Sequence, residues 1–209
     1  GTGMRINKVQ LAGLAVALVG VTAQGAQAED VTISTSTTTP LTTSDPNPTA
    51  PVAPGDITIA SGGRVTVTAG QTALTADSDN DITIQSGGIV LSNNANNSVG
   101  ISVLGGYSGA ISNAGSIQLV EDYTITDTDS DGDLDGEFAT GVNRVGILLS
   151  GGTYTGDISS TGIISIEGQN SAGIRIDSLL DGDLIATGSM TLYGDNSVAG
   201  EINDEVTGD

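Results

Sequence analysis

Over most of this 209-residue chain the apolar residues come in pairs two positions apart, and each pair gives way within three residues to Gly, Asn, Ser or Asp. Ile101/Val103, Ile117/Leu119, Ile164/Ile166, Ile174/Ile176 and Met190/Leu192 are such pairs. A period of two puts both members on the same side of an extended strand. The pattern therefore predicts many short strands, each with one apolar face, separated by tight turns.

The strands are written in a repeated phrase. Asn97-Ser98-Val99-Gly100-Ile101 returns as Asn143-Arg144-Val145-Gly146-Ile147, as Asn170-Ser171-Ala172-Gly173-Ile174, and in fading form as Asn196-Ser197-Val198-Ala199-Gly200. The glycines at 100, 146, 173 and 200 are 46, 27 and 27 residues apart. A second phrase, Asp56-Ile57-Thr58-Ile59, returns as Asp81-Ile82-Thr83-Ile84, with looser relatives at Ala110-Ile111, Asp157-Ile158 and Asp183-Leu184. A fixed period of this size marks one supersecondary unit stacked on copies of itself. Each unit carries about three short segments, and no isolated unit covers its own apolar side chains. Stacking at ~4.8 Å per unit turns them into a continuous column. The predicted fold is all-β, a right-handed parallel β-helix of five to six rungs. An antiparallel β-sandwich would not require near-identical phrases at constant spacing. The 46-residue interval exceeds one rung, and the excess falls at residues 121–138, read as an acidic insertion.

The ends of the chain read differently. Met4-Arg5-Ile6-Asn7-Lys8, the apolar stretch from Leu11 to Val21 and Ala26-Gln27-Ala28 have the three-part form of a secretory signal peptide. Residues 1–28 are assigned to it, with Gly1-Thr2-Gly3 as a leading remnant. The apolar stretch is too short for a comfortable permanent span. Residues 29–54 are rich in Thr and Ser and hold all five prolines. They read as a disordered linker, leaving residues 55–209 as the β-helix.

Composition narrows the function. The chain has 25 acidic and 5 basic residues, a formal charge of −20. Nucleic acid is excluded as a partner, since phosphate neutralisation needs Lys and Arg in number. Divalent cations become the natural counterions. There is no Cys or His, and beyond the signal peptide no Lys. Serine-histidine and cysteine-histidine nucleophile arrangements are thereby excluded, as are histidine-based zinc sites. Paired carboxylates remain able to run glycosidic hydrolysis, but only Arg64, Arg144, Arg175 and four tyrosines are there to hold a sugar. Tyr107 and Tyr154 fall at equivalent places in their rungs, either as a structural ladder or as stacked rings for a glycan. The repeated asparagines read as turn residues satisfying backbone groups. The chain is read as no enzyme.

Within the insertion, Asp127-Thr128-Asp129-Ser130-Asp131-Gly132-Asp133-Leu134-Asp135 spaces carboxylates at alternate positions of a tight loop. Calcium takes six to eight hard oxygens, and Gly132 permits the sharp turn that aims them inward. The expected ligands of a structural Ca2+ are Asp127, Asp129, Asp131, the Asp133 carbonyl and Asp135. The loop resembles those of EF-hands, dockerins and thrombospondin type 3 repeats. It departs from the EF-hand at the twelfth position, where Phe138 stands in place of the bidentate glutamate.

The signal peptide, the Thr/Pro-rich lead-in and rungs of the form N-x-[VA]-G-I with a following G-x-I-x-N together resemble the passenger domain of a bacterial autotransporter (type V secretion). The resemblance covers roughly residues 55–209 and rests on repeat style. It implies a Gram-negative source, display at the outer-membrane surface or release from it, and a C-terminal translocator barrel in the full-length protein. No barrel pattern of aromatic-girdled strands is written here. The final segment, Gly200 to Asp209, begins a further rung, so the chain is expected to continue or to have its end covered by a partner. The expected role is adhesion, aggregation or envelope coating, toward a host or bacterial surface ligand such as a glycan. A carbohydrate-active β-helix and an end-to-end self-associating filament are the alternatives.

Overall fold

The computed structural model describes residues 28–123, 126–132, 135 and 138–209. The predicted signal peptide lies outside the described residues apart from Ala28. Twenty strands and no helix occur among the described residues, and they wind through six turns. The first turn holds β1 (Val31–Ile33), β2 (Ser36–Thr37) and β3 (Leu41–Thr42). The second holds β4 (Ile57–Ile59), β5 (Arg64–Val67) and β6 (Thr72–Ala76), and the third β7 (Ile82–Ile84), β8 (Ile89–Asn93) and β9 (Val99–Leu104). The fourth holds β10 (Ile111–Asn113), β11 (Ser116–Val120) and β12 (Val145–Ser150), followed by a short β13 (Tyr154–Thr155). The fifth holds β14 (Ile158–Ser160), β15 (Ile163–Glu167) and β16 (Ala172–Ile176), followed by β17 (Leu180–Asp181). The sixth holds β18 (Leu184–Ala186), β19 (Ser189–Tyr193) and β20 (Val198–Ile202).

Corresponding strands of successive turns pair in parallel, giving three six-stranded sheets and a two-stranded one between β13 and β17. The fold is thus a parallel β-solenoid, as the repeats predict. Register follows the phrases: Ile57, Ile82, Ile111 and Ile158 stand in one column of the first sheet. Val65, Val90, Ile117 and Ile164 form a column of the second sheet, and Leu74, Ile101, Ile147 and Ile174 one of the third. These side chains are buried and form a single core along the axis. At about 1.5–3 kcal/mol for each fully buried Ile, Leu or Val, the columns are the main stabilising term. The predicted inward pairs take their places, with Met190 and Leu192 of the last turn only half-buried.

Two expectations need correction. Residues 29–54, read as a disordered linker, build the first turn. Val31 to Ile33 pair with Ile57 to Ile59, Ser36–Thr37 with Arg64–Val65, and Leu41–Thr42 with Leu74–Thr75. Strands this short need only a few ladder bonds, which the second turn supplies. The prolines do not interfere, because Pro40, Pro46, Pro48, Pro51 and Pro54 all lie between strands, where no ladder N–H is required. The second correction is one of register. Val198 pairs with Ala172 and Gly200 with Ile174, so Ala199, not Gly200, occupies the place of Gly173.

The glycine of the phrase has a steric cause. In β9 both Gly100 and Ile101 are buried, so inward positions fall side by side. A β-carbon on Gly100 would lie 2.5 Å from the Gly146 carbonyl oxygen and 2.7 Å from Cγ2 of Ile117. The phrase's asparagine has a conformational one: Asn97, Asn143, Asn170 and Asn196 sit at φ of 57°, 58°, 51° and 56°. Asn is among the few non-glycine residues that enter this left-handed region readily, because its short polar side chain bonds locally.

Candidate functional site: the acidic insertion and its anchor

Residues 121–144 separate β11 from β12 and carry the chain out of the second sheet before it enters the third. What fastens this excursion is a substitution inside the phrase. Three copies place Ser after the asparagine, and each serine hydroxyl donates to a nearby carbonyl: Ser98 to Ala95 at 2.9 Å, Ser171 to Gln169 at 3.0 Å, and Ser197 to Gly168 at 2.5 Å. The copy that follows the insertion has Arg144 instead.

The Arg144 side chain is 1% exposed and its guanidinium reaches well beyond a serine's range. Nε donates to the Ala95 carbonyl at 3.0 Å, Nη1 to Glu121 Oε1 at 2.9 Å and to the Glu167 carbonyl, and Nη2 to Asn96 Oδ1 at 3.4 Å. Glu121 is 10% exposed. Its second oxygen accepts from the Thr140 amide at 3.1 Å, and Oε1 also accepts from Gly141. The Glu121 amide in turn donates to Glu167 Oε2 at 2.6 Å. One ion pair thus ties both ends of the insertion to each other and to the next turn. An open polar cleft of about 330 Å³ lies over it, lined by Asn94, Asn96, Asp122 and Tyr123 besides the pair.

Further out, Thr126 and Asp135 form an antiparallel bridge, the Asp135 amide donating to the Thr126 carbonyl at 2.7 Å. The Asp135 carboxylate accepts from the Thr128 hydroxyl at 2.5 Å, the Thr128 amide at 2.6 Å and the Asp129 amide at 3.3 Å. These bonds, that from the Thr128 hydroxyl first, hold its pKa below the ordinary carboxylate value. Asp127 accepts from Ser130 and Gly132 amides at 2.6 and 3.1 Å. One oxygen from each of Asp127, Asp129 and Asp135 lies within 4.8 Å of the others. Asp131 is not in that group. It stands between Ser130 and Gly132, whose left-handed φ of 63° and 95° breaks the alternation that spacing alone implies. Asp133 lies outside the described residues.

The other candidates serve the shaft. Tyr107 and Tyr154 are indeed equivalent, joined through the Ser108–Thr155 bridge. They do not stack as a ladder or a platform: Tyr107 is partly exposed, while Tyr154 is fully buried against the core in register with Leu180. Burial, reinforced by Asp81 and Asp79, raises the Tyr154 pKa. Asp157 and Asp183, the carboxylates of the second phrase, belong to a stack missed at the sequence level. Asp56 N–H donates to Asp30, Asp81 N–H to Asp56, Ala110 N–H to Asp81, Asp183 N–H to Asp157 and Asp209 N–H to Asp183, all at 2.7–2.9 Å. The recurrence of Asp before the first strand of every turn but the fourth, where Ala110 stands, was the available signal. Asn143 likewise donates to Asn97 at 2.9 Å and Asn196 to Asn170 at 3.3 Å, a side-chain ladder between turns where bonds to backbone groups were expected.

Compared with known proteins, the chain matches no family model, no curated protein and no solved structure.

Proposed function

We propose that this chain is a non-enzymatic β-solenoid shaft displayed on, or released from, a bacterial surface, acting in adhesion, aggregation or envelope coating. The observation that carries this reading is the contrast between shaft and insertion. Along the shaft, polar side chains are spent on neighbouring turns, as the Asp and Asn stacks show. The insertion is fastened by a buried ion pair and presents its carboxylates outward. A rigid stem that holds one charged element away from its side is a display architecture. The export signal and the resemblance to autotransporter passengers support the surface setting.

In this reading the insertion is ordered by a structural Ca2+. Asp127, Asp129 and Asp135 would hold the ion, with backbone carbonyls and water completing six or more oxygens. The hard, anionic donor set suits calcium, and the chain's charge draws cations toward it. The ion would supply rigidity to the hairpin and no chemistry.

The experiment is a cell-adhesion and aggregation assay on bacteria displaying the full chain, beside a variant in which residues 126–135 are replaced by a short Gly-Ser link. Display of the full chain should raise adhesion or aggregation, and the variant or a chelator should reduce the gain. Cells that behave like undisplayed controls would remove the proposal.

A further inference from the structure

Five aromatic residues occur in the chain, and three of them meet on one face. Phe138 of the insertion packs against Tyr123 at a ring-centroid distance of 5.7 Å and against Tyr193 of β19 at 5.9 Å. Phe138 and Tyr193 remain about half exposed, at 51% and 50%. The row ends in an open groove of about 370 Å³ on the outer side of the second sheet. There Gln118, Ser165 and Thr191 stand in one outward column, each in register with the next, and Glu167 is paired with Tyr193 in the column beside it.

We propose that this groove binds a neutral polysaccharide laid across the strands. Sugar rings present C–H faces that pack on exposed aromatic rings, and hydroxyls that pair with amide, hydroxyl and carboxylate groups. Both kinds of partner are here. The turns follow one another at ~4.8 Å, comparable with the length of one sugar unit in an extended chain. Successive units would therefore meet Gln118, Ser165 and Thr191 in turn. Charge selects the class: Glu167 lines the groove, no Lys or Arg does, and the whole chain stands at −20. An anionic glycan would be repelled. Packing of the insertion onto the shaft explains Phe138 between its two tyrosines, but it asks nothing of Gln118 or Thr191. This ligand assignment deepens the reading of the molecule as a surface scaffold and rests on it for its biological setting only.

The test uses the full chain and calorimetric titration with cellohexaose, maltohexaose, laminarihexaose and chitohexaose, beside a hexamer of galacturonic acid. At least one neutral hexamer should bind and the uronate should not. Tyr193→Ala and Gln118→Ala should each weaken binding roughly tenfold, while Tyr107→Ala, away from the groove, leaves it unchanged. Thr191→Val, nearly isosteric, should weaken binding several-fold at unchanged melting temperature, which guards against a misfolded alanine variant. The proposal falls if no neutral hexamer binds, if binding ignores all three groove variants, or if the uronate binds as well as the neutral sugars. Adhesion by displayed cells without hexamer binding would remove the groove and leave the scaffold reading standing. Hexamer binding without adhesion would do the reverse.

Discussion

The carbonyl oxygen of Gly146 occupies the space that a side chain on Gly100 would need, 2.5 Å from where its β-carbon would sit. The contact passes from one turn to the next and explains why the phrase keeps glycine through its middle copies. Gly100→Ala should destabilise the solenoid by about 1–3 kcal/mol through overpacking, read as a lower midpoint in urea. Gly200 has nothing within 4 Å of its added β-carbon, so Gly200→Ala should leave the midpoint unchanged. Ala73 and Ala199 hold the register place of Gly100 and Gly173 in the second and last turns, whereas Gly200 stands in that of Ile174. The penalty thus belongs to the close carbonyl contact, and equal effects at 100 and 200 would contradict it.

The buried pair of Arg144 and Glu121 sets the second expectation. Arg144→Ser restores the phrase of the other turns but leaves a nearly buried carboxylate without its cation. Breaking a buried pair from one side costs about 3–5 kcal/mol. The double variant Arg144→Ser/Glu121→Gln should recover a large part of that loss, because the stranded charge is gone. A double-mutant cycle in denaturant measures the coupling. Additive losses would mean that the two side chains act separately.

How far these features can be read from the chain varies with their physics. The solenoid is legible because Ile and Val at period two, repeated with fixed glycines, leave little choice of architecture. The first turn is not, since β1 to β3 hold only seven residues in all that pair, four of them Thr or Ser, and their support comes from the second turn. Arg144 sits in a polar slot of the phrase and reads as solvated; only its departure from Ser98, Ser171 and Ser197 marks it. The carboxylate cluster is half legible. Alternation correctly gathers Asp127 and Asp129, but whether Asp131 joins depends on backbone angles at Ser130 and Gly132 that spacing does not encode. The Tyr107 and Tyr154 positions are equivalent along the chain, yet their side chains face solvent and core respectively.

Acid should loosen the tip of the insertion. Asp135 is depressed in the folded state by its bonds from Thr128 and Asp129. A depressed carboxylate contributes stability that is complete above its unfolded pKa and is lost as pH falls through the folded value. Amide hydrogen exchange at Thr128 and Asp129 should therefore speed up as pH drops below the ordinary carboxylate value of 3.8, after correction for intrinsic rates. In Asp135→Asn the protection should already be reduced at neutral pH and its residual pH dependence should flatten. Protection in the variant that still follows pH as in the parent would show that another group controls the tip.

Calcium removal tests the same tip from the other side. An ion that binds the folded chain and not the unfolded one raises stability by RT ln(1 + [Ca2+]/Kd). The melting temperature should thus rise steadily with millimolar Ca2+ and return to baseline with chelator, while equal Mg2+, which demands tighter octahedral geometry, should do less. Asp127, Asp129 and Asp135 supply the converging oxygens, so Asp129→Asn should remove most of the calcium-dependent shift without lowering the metal-free midpoint. Asp122→Asn, beside the anchor and outside the cluster, should retain it. Because the hairpin is tied to the shaft through Arg144 and Glu121, the ordering should also appear as protection at Thr140 and Gly141. A melting temperature indifferent to calcium and chelator alike would leave the three carboxylates as a solvated acidic loop.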